Sequence, residues 1–197
     1  MLISPPFGGG RAPVLAKNAV ASSQPLATQA GIEVLQNGGN AVDAALATAI
    51  TLTVVEPTMN GLGGDGFALI WDGKKLHGMN ASGRAPAAWT PDYFAGKTAM
   101  DLIGWNTVTV PGMVSGWIEL SRKFGKLPFA QLFKRAIDYA ENGFPVSPVI
   151  ARQWREAIPI LKNQPGFSES FLIDGKAPAA GKFWRYPAQA KTLREIA

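Results

Sequence analysis

The stretch between Asn40 and Pro57 limits what this chain can fold into more than any other. Residues 41–54 read as a helix that is apolar on nearly every side, through Val42, Ala44, Ala45, Leu46, Ala49, Ile50 and Leu52. A helix with no polar face has no side that prefers water, so this one is expected to be enclosed all round by other elements. Asn40 is placed to cap it, and Asp43 in its first turn lies near the positive end of the helix dipole. Pro57 ends it, because the residue before a proline avoids helical angles. The 197 residues are enough to build the enclosing core.

The flanking segments supply candidate walls. Residues 23–36 form a helix with a small-residue stripe, Ala27, Ala30, Gly31 and Val34, stopped by Asn37-Gly38-Gly39. Phe67-Ala68-Leu69-Ile70-Trp71 reads as a strand, Asp72-Gly73 as a two-residue hairpin turn, and residues 75–79 as the return strand. Three helices follow, over residues 112–124, 128–142 and from Ser147-Pro148 to a break or kink at Pro159. Gly143 with Phe144 behind it fits a Schellman stop, and Phe171-Leu172-Ile173 with Asp174-Gly175 a small strand and turn. A last helix opens at Pro187 and reaches Ala197 with no cap, as though the sequence were cut there.

Composition removes several kinds of chemistry. With no cysteine and one histidine, His77, there is no thiol nucleophile, thiolate metal site or disulfide. His77 sits in a predicted strand, and no G-x-S-x-G elbow accompanies it. The net charge of +5 is spread over isolated pairs such as Lys74–Lys75 and Lys134–Arg135, which argues against a nucleic-acid partner. No segment approaches the length of a membrane span or an export leader, and the expected location is cytoplasmic. Glu119 and Glu141 read as exposed helix faces.

The hairpin locates the candidate site. Its strands are antiparallel, so the loop before the first (residues 59–66) meets the loop after the second (residues 80–86). Gly61-Leu62-Gly63-Gly64-Asp65-Gly66 does not make a dinucleotide fingerprint, since it follows a helix and opens a strand. It reads instead as a tight turn, or as a cradle for an anion. Arg84 is the candidate carboxylate partner, because a guanidinium can hold both oxygens at once, though such a fork also pins loops to their own carbonyls. Asp65 is placed either to orient Arg84 or a substrate amine, or to cap its own loop.

These residues also carry a resemblance. Ala21-Ser22-Ser23-Gln24-Pro25-Leu26-Ala27, Gly38-Gly39-Asn40-Ala41-Val42-Asp43-Ala44-Ala45, Val55-Glu56-Pro57, the glycine loop through Phe67, Val108-Thr109-Val110-Pro111-Gly112 and residues 190–197 resemble, in order, the large subunit of gamma-glutamyltransferases. The resemblance implies an α+β fold, the four-layer αββα sandwich of N-terminal nucleophile hydrolases, only part of it present in this chain. Residues 1–17 would be an extended segment and residues 18–197 a partial large subunit, truncated at its C-terminal end. It further implies a self-cleaving precursor whose freed threonine serves as nucleophile and base toward a gamma-glutamyl or similar acyl amide, passing the acyl group to water or an amine. That threonine would lie beyond residue 197, so this chain holds no catalytic residue and is expected to be inactive alone. No cofactor or metal is implied. The implied partners are the small-molecule substrate, the rest of the large subunit and the small subunit.

One position departs from the family pattern. Typical members carry an arginine four residues before the proline of the second loop, holding the donor's alpha-carboxylate; here that position is Ser82, and the arginine stands at Arg84. The Ser-Gly-Arg-Ala-Pro form looks more like the branch that includes some cephalosporin acylases. The expected substrate-binding residues are therefore Arg84, Ser82 and Asp65. A glutaryl-type acylase stands as the alternative enzyme, and a non-catalytic anion-binding or structural relative as the alternative outside enzymes.

Overall fold

In the computed structural model, which describes residues 15–197, the apolar segment is the central helix α2, Ala41–Val55. Most of residues 1–17, assigned to an extended N-terminal segment, lie outside the described residues. Helix α1, Pro25–Gln36, lies along α2 and buries Ala27, Ala30, Gly31 and Val34, the stripe expected from sequence. The approach is close: a Cβ on Gly31 would stand 2.4 Å from Thr48 Oγ1 and 3.0 Å from the Ala44 carbonyl. Gln24 caps α1, its side-chain oxygen accepting from the Leu26 and Ala27 amides. That puts the helix start two residues later than the sequence pattern suggests.

Helix α3, Met113–Phe124, a 3₁₀ turn at Phe129–Phe133 and helix α4, Lys134–Asn142, pack on the other flanks of α2. Ile50, Val54, Val55 and Phe133 are fully buried, each stabilising the fold by about 1.5–3 kcal/mol relative to exposure. Helix α5, Pro148–Leu161, absorbs Pro159 without ending there, and a short α6, Phe167–Phe171, follows. Helix α7, Pro187–Ile196, returns to α4 and reaches α2 through Gln189, which donates to the Thr53 carbonyl at 2.9 Å. Trp154, Trp184 and Tyr186 stack into a buried aromatic nest between α5 and α7.

Several local expectations are corrected. The enclosure of α2 is incomplete: Ala41 and Ala45 are exposed and Ala49 is only half-buried, an i, i+4, i+8 stripe that no described element covers. The hairpin consists of β1, Gly66–Trp71, and β2, Leu76–Ala81, and its register pairs Trp71 with Leu76. Its loop is therefore residues 72–75 rather than two residues. Asp72 closes this longer loop by accepting from the Lys74 and Lys75 amides at 2.8 Å each and from His77 Nε2 at 2.7 Å. The His77 contact, then those two amides, hold its carboxyl at about 2. At the end of α4, Gly143 has φ 97° and ψ 158°, which is not the left-handed conformation of a Schellman stop. The chain runs straight out into β3, Phe144–Pro145, which pairs with β4, Phe183–Trp184. Phe171 ends a helix instead of starting a strand, and a turn at Asp174-Gly175 is closed by an Ile173–Lys176 bridge.

Asp43 is the polar pivot of the helical core. It is fully buried, and its carboxylate accepts from the Asn40 amide at 2.9 Å, completing a capping box. It also accepts from the Lys126 amide at 3.1 Å and the Leu127 amide at 3.2 Å, just past the end of α3. Asn40 Nδ2 donates to the Phe124 carbonyl at 2.7 Å, so the start of α2 and the end of α3 satisfy each other's unpaired groups. Asp43→Ala orphans three amides and should lower unfolding free energy by about 3–5 kcal/mol. Denaturant unfolding of the protein and its variant checks this; a loss below 1 kcal/mol would mean water replaces the carboxylate.

Candidate active site

The hairpin register sets the geometry. Gly66 pairs with Ala81, so the glycine loop and the arginine loop leave the sheet side by side, as the sequence indicated. The glycine loop is tied at both ends. The Gly64 amide donates to the Gly61 carbonyl, and the Gly64 carbonyl accepts from the Met113 amide, each at 3.1 Å. Glu56, nearly buried at the end of α2, accepts from Ser23 Oγ at 2.7 Å and from Asn60 Nδ2 at 3.5 Å.

The arginine loop is held by its backbone. Asn80 Oδ1 accepts from the Ser82 amide at 2.9 Å, Thr109 Oγ1 donates to the Ser82 carbonyl at 2.9 Å, and the Val110 amide donates to the Arg84 carbonyl at 2.9 Å. Gly83 sits at φ 82°, and a Cβ there would lie 1.9 Å from the Val110 carbonyl oxygen. On the facing segment, a Cβ on Gly112 would lie 2.3 Å from the Ala81 carbonyl oxygen. Two backbones thus touch at a spot where neither has room for a side chain. Residues 109–112 are the part of the site that reading residue chemistry alone misses, since apart from the Thr109 hydroxyl they contribute backbone contacts. Their only signal is the Val-Thr-Val-Pro-Gly string itself.

With its backbone fixed, the side chain of Arg84 is exposed, donates no hydrogen bond and makes no ion pair among the described residues. Ser82 and Arg84 line one open groove of about 570 Å³ with Asn80, Ser115 and Glu119. Asp65 is exposed too but lines a different cavity, the one between β1 and α2. It makes no hydrogen bond or ion pair to Arg84, so the geometry brings Ser82 and Arg84 together and leaves Asp65 apart. Glu119 pairs with Arg122 at 2.7 Å, and Glu141 pairs with Arg194, as expected of helix-surface carboxylates.

Residues 27–197 match the sequence profile described as Gamma-glutamyltranspeptidase. The chain belongs to the gamma-glutamyltranspeptidase family. A glutathione hydrolase-like proenzyme of Bacillus subtilis is 41% identical over 184 residues, covering 92% of this chain and 35% of that protein. An oxamate amidohydrolase proenzyme of Klebsiella pneumoniae is 43% identical over 180 residues, covering 87% of this chain and 34% of that protein. Among solved structures, a cephalosporin acylase from Bacillus halodurans superimposes with a TM-score of 0.82 at 43% identity, over 96% of this chain and 39% of that one. The fold is accordingly part of an N-terminal nucleophile hydrolase sandwich, and the chain spans about a third of the length of the curated relatives it matches. Among the described residues, no helix is long and apolar enough to cross a membrane.

The contact of Gly83 with Val110 makes the loop sensitive to a single methyl group. Gly83→Ala should destabilise the protein by about 2 kcal/mol or more, from positive φ and the steric conflict together. In calorimetry Gly112→Ala should behave alike, while Gly61→Ala, which meets nothing within 4 Å, should stay near wild type.

Proposed function

We propose that this chain supplies the scaffold and one wall of the substrate pocket in an enzyme that cleaves an acyl amide carrying a carboxylate. The acyl group passes to water or to an amine. The threonine nucleophile comes from the part of the protein outside these residues, as the family membership suggests. The observation that carries the substrate reading is Arg84, exposed in a groove and bound to no described acidic partner.

The chemistry follows from that placement. A guanidinium on a loop held by backbone contacts offers two parallel N–H donors to a carboxylate without first breaking an internal ion pair. Ser82 Oγ, whose one contact is a long 3.4 Å approach to the Gly83 carbonyl, is available as a further donor beside it. Holding the carboxylate fixes the distance from that anchor to the scissile amide, which orients the amide toward a nucleophile on another segment. Because the anchor stands at position 84 and not at 82, the carboxylate is gripped from a different point of the loop than in typical members, and donors without glutathione's alpha-amine, such as glutaryl amides, suit the same pocket. Relatives named for oxamate and for cephalosporin chemistry fit a pocket tolerant of such differences. Asp65, facing another cavity, is better suited to shaping its loop than to holding a substrate amine.

The full-length protein should release p-nitroaniline from gamma-glutamyl- or glutaryl-p-nitroanilide. Arg84→Ala should raise KM for the accepted donor by roughly 10- to 100-fold, the worth of a charged hydrogen-bond pair, with kcat changed less. Arg84→Lys should recover only part of that loss. Turnover of neither donor would overturn the reaction class. An unchanged KM in a stably folded Arg84→Ala protein would overturn the carboxylate assignment alone.

A further inference from the structure

The glycine loop of the site contains a reactive peptide bond. In an asparagine–glycine pair the glycine nitrogen can attack the side-chain amide before it, because no Cβ stands in the way. The sequence has three such pairs: Asn37-Gly38, Asn60-Gly61 and Asn142-Gly143. The first and last stand at the ends of α1 and α4, and the middle one lies in the glycine loop.

Exposure alone would favour the wrong pairs. Asn37 and Asn142 are exposed, whereas Asn60 is half-buried. The attacking nitrogen separates the three. The Gly38 amide donates to the Leu35 carbonyl at 3.2 Å, and the Gly143 amide to the Tyr139 carbonyl at 2.9 Å. Each must leave its helix end before it can react. The Gly61 amide donates no hydrogen bond among the described residues, and a Cβ on Gly61 would meet nothing within 4 Å. The electrophile differs as well. Asn142 Nδ2 is held by Asp138 at 2.8 Å, while Asn60 Nδ2 makes one long contact, 3.5 Å to Glu56 Oε1.

We propose that Asn60 is a site of spontaneous deamidation. The Gly61 nitrogen loses its proton and bonds to Asn60 Cγ; the Cγ–Nδ2 bond breaks, and ammonia leaves carrying a proton. Water then opens the cyclic imide at either carbonyl, its hydroxyl going to the carbon and its proton to the nitrogen. One opening gives aspartate; the other gives isoaspartate, with the backbone rerouted through the former side chain. Either product sets a new carboxylate beside Glu56. That residue is nearly buried, is held by the Ser23 hydroxyl at 2.7 Å, and forms no ion pair among the described residues. Two carboxylates this close disfavour each other's charge, so the modification drives the glycine loop away from the end of α2. This inference concerns the loop beside Arg84 and is independent of the substrate assigned to that residue.

Peptide mapping by mass spectrometry tests it on the full-length protein, kept folded at mildly alkaline pH. Asn60 should gain about 1 Da, the exchange of an amide for an acid. It should do so about tenfold faster than Asn37 or Asn142, the factor set by the hydrogen bond that each of those glycine amides must first break. The rate should climb with pH, because the attacking nitrogen has to give up its proton. Conversion at Asn60 no faster than at the other two would overturn the proposal. Gly61→Ala should slow conversion about tenfold or more, since a Cβ crowds the nitrogen; an unchanged rate would mean direct hydrolysis without the imide and would also overturn it. In Asn60→Asp, amides of residues 61–66 should exchange with solvent faster than in wild type. Identical exchange would overturn the effect assigned to Glu56.

Discussion

The buried carboxylate of Asp43 holds the start of α2 against the end of α3, and most of what positions the site passes through that joint. Among the described residues it forms no ion pair. Backbone amides of Asn40, Lys126 and Leu127 neutralise it instead, so one side chain terminates two helices at once. The fit leaves no room to spare: a Cβ on Gly125 would stand 2.9 Å from Asp43 Oδ1. Helix α3, anchored there, presents Gly112 and Gly116 to the hairpin at its other end. A Cβ on Gly116 would lie 2.7 Å from that of Ala81, so the sheet rests directly on the helix backbone.

From that contact the division of labour in the site follows. The Val110 and Met113 amides and the Thr109 hydroxyl hold both loops through the Arg84, Gly64 and Ser82 carbonyls. The side chains of Ser82 and Arg84 are thereby relieved of structural duty. A guanidinium already paired with a protein carboxylate would have to break that pair before taking a substrate. Arg84 has no such pair among the described residues, and this sets it apart from Arg135, which is held by Glu33 and Asp138.

The same hairpin carries an exposed apolar face. Phe67, Leu69, Trp71 and Leu76 form one apolar face that is 57–77% exposed, an area larger than scattered surface hydrophobics require. The opposite face rests on α3, and among the described residues β1 pairs on one edge only, with β2. A two-stranded hairpin is marginal by itself, and here its stability comes from α3 beneath it. The sandwich of this family needs further strands, consistent with a chain that spans about a third of its curated relatives.

Much was legible in the sequence because it was local. The Asn40 cap, the glycine stop after α1, the small-residue stripe on α1 and the convergence of the two loops all follow from spacing and turn chemistry within a few residues. The structure departs from that local reading where contacts other than the turn or helix pattern decided. Asp72 spread a two-residue turn into four by recruiting His77; β4, distant in sequence, drew Gly143 out of a helix stop into a strand; and the stripe Ala41, Ala45 and Ala49 stayed open although hydrophobicity predicted enclosure. Order and identity of residues determined the family, the helices and the presence of an arginine beside a glycine loop. The tertiary structure alone decided that Ser82 and Arg84 share a groove while Asp65 lies outside it. Side-chain direction at a loop is set by which backbone packs behind it, and that backbone belongs to residues far along the chain.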